Sequence, residues 1–110
     1  MRTLLKVTIP TEPGNRAILD GTLPKTMQAF VDEFKPEASY FFAENGQRTA
    51  LFVVELKDAT QIPVVAEPFF MNLGASLWST PVMNANDLKV GLEKAAVKFA
   101  KPRKELVGAR

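Results

Sequence analysis

Residues 39–55 read SYFFAENGQRTALFVVE. Asn45-Gly46 is the strongest short turn signal a chain offers, because both central residues of a type I′ turn need positive φ and these two residue types reach it cheaply. A two-residue turn there fixes the register. Glu44 faces Gln47, Ala43 faces Arg48, Phe42 faces Thr49, Phe41 faces Ala50, Tyr40 faces Leu51 and Ser39 faces Phe52. Opposed residues share a face. One face then carries Phe41, Ala43, Ala50, Phe52, Val54 and Leu56; the other carries Tyr40, Phe42, Glu44, Gln47, Thr49, Leu51, Val53 and Glu55. Both are apolar at their centres, and a small domain buries only one. The cleaner face, with Phe41 and Phe52, is expected to meet the domain's own helices. Tyr40, Phe42, Leu51 and Val53 are left needing a cover from outside.

Upstream, residues 2–9 alternate as a strand, with Leu5, Val7 and Ile9 on one side and Leu4, Lys6 and Thr8 on the other. Pro10 and the Pro13-Gly14 pair are expected to end it in a turn. A loose helical piece over 15–20 precedes a firmer helix from about 23 to 34, whose Leu23, Met27, Phe30, Val31 and Phe34 form one stripe. Thr22 is the expected N-cap, and Lys35-Pro36 the stop. Downstream, Asp58-Ala59-Thr60-Gln61 resembles a capping box. It opens a helix from about 60 to 71 with Ile62, Val65, Ala66 and Phe69 on one side and a disruptive Pro68. Residues 75–80 alternate as a fourth strand. A last helix starts near Asn84 or Asn86 and carries Leu88, Leu92, Ala95, Ala96 and Phe99.

The order β-α-β-β-α-β plus a helix predicts an α+β, ferredoxin-like domain with an antiparallel four-stranded sheet and two helices on one face. The expected division is a single domain over 1–100 and a flexible basic tail over 101–110. Lys6, Thr8 and Trp78 are expected to join the uncovered sheet face. Two-fold homodimers are the commonest assembly, so a second copy packed through Tyr40, Phe42, Leu51 and Val53 is the simplest cover.

Composition narrows the chemistry. The 110 residues include no cysteine and no histidine. Disulfides, thiolate nucleophiles and the commonest metal ligand and acid/base group are therefore missing, and neither a metal nor another cofactor is expected. The net charge of +2 is uneven: residues 1–84 hold seven Lys or Arg against nine acids, and 85–110 hold seven against three. That places the basic excess at one end and argues against a nucleic-acid-binding surface on the body. No apolar run reaches the ~20 residues of a bilayer span, and residues 1–7 lack the pattern of a signal peptide. The expectation is a cytoplasmic protein without a membrane partner.

The same element order, with ENGQRTALFVVEL (44–56), AEPFFMN (66–72) and LWSTPVM (77–83), resembles the dimeric α+β barrel superfamily, closest to its small uncharacterised bacterial members. The resemblance spans about residues 2–83. It implies two ferredoxin-like sheets packed into a barrel. Other members include muconolactone-isomerase-like enzymes, cofactor-free monooxygenases and dye-decolourising haem proteins. No catalytic motif of those enzymes can be placed on this chain.

Candidate site residues are few. Glu67, before Pro68 and near Phe69 and Phe70, is a carboxylate in an apolar setting and so a candidate general base, with Tyr40 as a second catalytic candidate. Tyr40 and Trp78 suit an aromatic ligand pocket. Arg48 suits a carboxylate or phosphate, and Lys6 is a further ligand-binding candidate that shares a face with Glu55 as an expected ion pair. Three readings follow. The first is a homodimer that binds a small hydrophobic ligand. The second is a cofactor-independent isomerase or monooxygenase acting on a small aromatic or organic acid. The third is an interaction module that uses the basic tail.

Overall fold

The computed structural model describes residues 1–108, with side-chain environments through Phe99. The elements are β1 (Arg2–Ile9), α1 (Thr11–Leu19), α2 (Thr22–Phe34), β2 (Ala38–Glu44), β3 (Gln47–Glu55), α3 (Gln61–Leu73), β4 (Ser76–Pro81) and α4 (Ala85–Gly108). One open sheet runs in the order β2-β3-β1-β4, and every neighbouring pair is antiparallel. This α+β arrangement is compatible with a ferredoxin-like domain.

Asn45 and Gly46 sit at φ 53° and 75°, the left-handed pair that a type I′ turn requires. The register from Glu44 opposite Gln47 to Ser39 opposite Phe52 follows from it and matches the expected pairing at all six positions. A Gly46→Ala variant adds a Cβ in left-handed backbone, which costs about 1 kcal/mol. For a domain of this size the melting temperature is expected to fall by roughly 5 °C, read by circular dichroism.

Because side chains alternate along each strand, one sheet face gathers Leu5, Val7, Ile9, Ala50, Phe52 and Val54, all buried. Phe30 of α2 and Val65, Phe69 and Leu73 of α3 pack on it. Phe52 lies at the centre, its ring 4.6 Å from Phe30 and 6.4 Å from Phe69.

Several local expectations need correction. Pro13 and Gly14 do not turn the chain; they lie in the first turn and a half of α1. The early N–H groups of a helix have no intrahelical partner, so Pro13 loses nothing there. Gly14 is buried under Arg48, and a Cβ on it would meet that guanidinium at 2.7 Å. Thr22 is not the cap of α2. Gly21, at φ 80°, holds that position, and Asp20 Oδ1 accepts the Thr22 amide at 2.9 Å. Phe41 points to the helix side but is 64% exposed, because the helix layer stops short of the edge strand. Its ring meets Phe52 edge-on at 5.8 Å. The expected tail, 101–110, falls on residues whose side chains are not described, the assignment of α4 ending at Gly108.

Candidate functional site

The sheet face opposite α2 and α3 is uncovered. Alternation along four strands places Arg2, Leu4 and Lys6 of β1, Thr49, Leu51, Val53 and Glu55 of β3, Tyr40, Phe42 and Glu44 of β2, and Trp78 of β4 on it together. Leu4, Leu51 and Val53 are half-buried by their neighbours. The three aromatics stand further out: Tyr40 is 66%, Phe42 41% and Trp78 55% exposed.

Four charged side chains lie on this face, and each has a partner within the chain. Lys6 pairs with Glu44; because β3 lies between their strands, the pair spans it over Thr49, which is buried. Glu55 takes the Met1 amino group at 2.7 Å, not Lys6 as the shared face suggested. Arg2 contacts Glu37 at 2.6 Å and Asp87 at 3.1 Å. The Glu37 hydrogen bond and charge push the Arg2 guanidinium still further above its ordinary range. The face is thus apolar at its middle and self-neutralised.

Two concavities flank the sheet. On the open face, a shallow groove of about 430 Å³ is lined by Lys6, Thr8, Glu44, Asn45, Gln47 and Trp78. On the helix side, a more apolar cleft of about 300 Å³ opens where α3 fails to cover β4, between Leu5, Leu56, Ile62, Val65, Leu77 and Pro81. Its rim holds the turn into α3. There Asp58 Oδ1 accepts the Thr60 amide at 2.8 Å and also its hydroxyl, and Gln61 Oε1 accepts the Lys57 amide at 2.5 Å. These bonds replace the simple capping box, and Thr60 at the N-cap makes no side-chain cap bond.

The Thr60 hydroxyl, then its amide, hold the Asp58 carboxyl below its ordinary value. A carboxylate with a depressed folded pKa adds stability above the unfolded value of about 3.9, and that stability is lost as pH falls through the folded one. Asp58→Asn is therefore expected to lower the melting temperature near pH 6. It should also shrink the further drop between pH 5 and pH 3, measured by calorimetry.

Lys6, Tyr40 and Trp78 are brought together on the open face. Arg48 is not among them. Its guanidinium lies on the helix side against α1, 3.0 Å from Asn15 Oδ1. Glu67 is exposed on the outer surface of α3, and neither it nor Tyr40 lines the helix-side cleft. Among the described residues no cluster of three acids, histidines or cysteines could hold a metal ion, and no helix is long and apolar enough to cross a membrane. Sequence reasoning missed the helix-side cleft. Leu56, which is buried, and Leu77, which is partly buried, belong to the apolar face on paper, and strand alternation alone does not show that a cleft opens between them and α3.

No protein-family model, curated protein or solved structure matches the chain. The geometry alone carries the functional reading.

Proposed function

We propose that this protein is a cytoplasmic homodimer of ferredoxin-like protomers, joined sheet to sheet as in the dimeric α+β barrels, that holds a small, largely apolar ligand between the two sheets. One observation supports it above the others: an exposed aromatic face whose charged side chains are all paired within the protomer. Burying an unpaired charge costs several kcal/mol. A face that has already neutralised Arg2, Lys6, Glu44 and Glu55 is prepared for burial.

Sheets pack about 10 Å apart, close enough for Tyr40, Phe42 and Trp78 of two copies to interdigitate. The groove beside Lys6 and Trp78 would then be closed by the second sheet. Its aromatic wall and its ion-paired lysine suit an aromatic or short-chain molecule with one polar group. Light scattering at micromolar concentration tests the assembly. The expected mass is twice the 12.1 kDa of the chain, and a stable monomer would overturn the proposal.

A further inference from the structure

We infer that the groove beside Trp78 selects an uncharged aromatic ligand carrying a hydrogen-bond donor and acceptor side by side, a carboxamide or a lactam, in preference to an aromatic acid or amine. The inference rests on the homodimer reading, because a second sheet must close the groove.

Strand pairing builds the site. Trp78 of β4 lies opposite Lys6 of β1, so the indole and the lysine stem stand next to each other on the open face. Beyond β3, Glu44 ends β2 and faces Gln47 across the turn. The Lys6–Glu44 ion pair bridges these two sides. Thr8 follows Lys6 on the same face of β1, and Asn45 is held at the turn by its left-handed backbone. The groove therefore has one aromatic wall and one polar wall.

The charges decide what can enter. Lys6 and Glu44 are the charged side chains of the groove, and they cancel. A carboxylate drawn to Lys6 would come to rest beside the Glu44 carboxylate, and an ammonium drawn to Glu44 would come to rest beside Lys6. Either way three charges share a site with one left uncompensated, and excluding water makes that far more costly than in bulk. A plain hydrocarbon has the opposite fault. It would strip water from the ion pair and from the Asn45 and Gln47 amides and replace none of the lost hydrogen bonds.

A neutral donor–acceptor ligand avoids both costs. An ammonium has three donors and a carboxylate about four acceptor sites, so both groups keep capacity after pairing. Lys6 can donate to a carbonyl oxygen and Glu44 can accept an N–H without the ion pair opening, and such charge-assisted bonds are the strong ones. Thr8, Asn45 and Gln47 each both donate and accept and suit the same molecule. The Trp78 indole, 55% exposed, supplies a surface for a planar ring.

Trp78 also supplies the test. It is the sole tryptophan of the chain, so its indole N–H gives one signal in a heteronuclear correlation spectrum. Benzamide, benzoate and benzylamine share a ring and differ in charge. Each is titrated into the protein near neutral pH, with light scattering in parallel. The expected result is a saturable shift of the indole signal with benzamide, at a dissociation constant at least about tenfold below that of either charged probe. A dimer that shows a smaller preference, or binds none of the three, would overturn the inference and leave the sheet pairing standing. Monomers throughout would remove both. Glu44→Gln leaves Lys6 without its carboxylate and is expected to reverse the order, with benzoate at least about tenfold tighter than benzamide. A Glu44→Gln dimer that still prefers benzamide would show that the ion pair does not set the selectivity and would likewise overturn the inference.

Discussion

If the proposed dimer forms, a Tyr40→Glu, Phe42→Glu double variant is expected to be a folded monomer at concentrations where the parent protein pairs. Both side chains are largely exposed in the protomer, so the fold loses little when they change. In a two-fold assembly each appears twice. Removing four buried aromatic side chains at ~1.5 kcal/mol or more apiece costs about 6 kcal/mol, or roughly four decades in dissociation constant. The new carboxylates would lie beside Glu44, whose lysine is already taken, and would face their own copies across the axis. Analytical ultracentrifugation over a wide concentration range reads the shift, with circular dichroism as the control for folding. A variant that remained a dimer would place the interface elsewhere on the molecule.

Phe52→Ala is expected to bring the largest loss of stability of any single truncation in the core. Phe52 is fully buried, and its ring is bracketed by Phe30, Phe69 and the edge of Phe41. These neighbours come from two helices and the adjacent strand, so no single movement can fill the space. Truncations of this kind cost about 3–5 kcal/mol, against the 5–15 kcal/mol typical of a whole domain. A fall of roughly 2–3 M in the urea midpoint follows at ordinary slopes for this chain length. It should be measured at two protein concentrations, because self-association adds to apparent stability.

The parts of the fold that were legible in the sequence are those set by local chemistry. Asn45-Gly46 sets a turn, the turn sets a register, and the register sorts fourteen residues of hairpin onto two faces without knowledge of anything distant. The stripes of α2 and α3 are legible for the same reason. The failures come where one element meets another. Pro13-Gly14 carries every local mark of a turn, yet Gly14 is small because Arg48 of β3 lies on it inside a helix. Phe41 alternates correctly toward the helices, but how far those helices extend over β2 depends on their packing angle. Lys6 finds Glu44 across β3 in place of Glu55, since long side chains reach diagonally. The candidate site divides along the same line. Tyr40, Trp78 and Lys6 share a face by strand alternation, whereas the position of Arg48 and the cleft beneath β4 depend on the tilt of helices.

The free rim of β2 has a consequence for the life of the chain before it finds a partner. Tyr40, Phe41 and Phe42 run consecutively on the outermost strand, exposed on both sides, with unpaired backbone groups along one edge. Short aromatic segments of this kind, uncharged and lacking proline, are templates for cross-β stacking. Glu37 before the strand and Glu44 at its end act as gatekeepers. Both, however, are occupied, Glu37 by Arg2 and Glu44 by Lys6, and screen little. Association through the open face would cover two of the three rings. On this view pairing slows the rise of free protomer with concentration, and so limits the supply of chain that fibril formation would draw on.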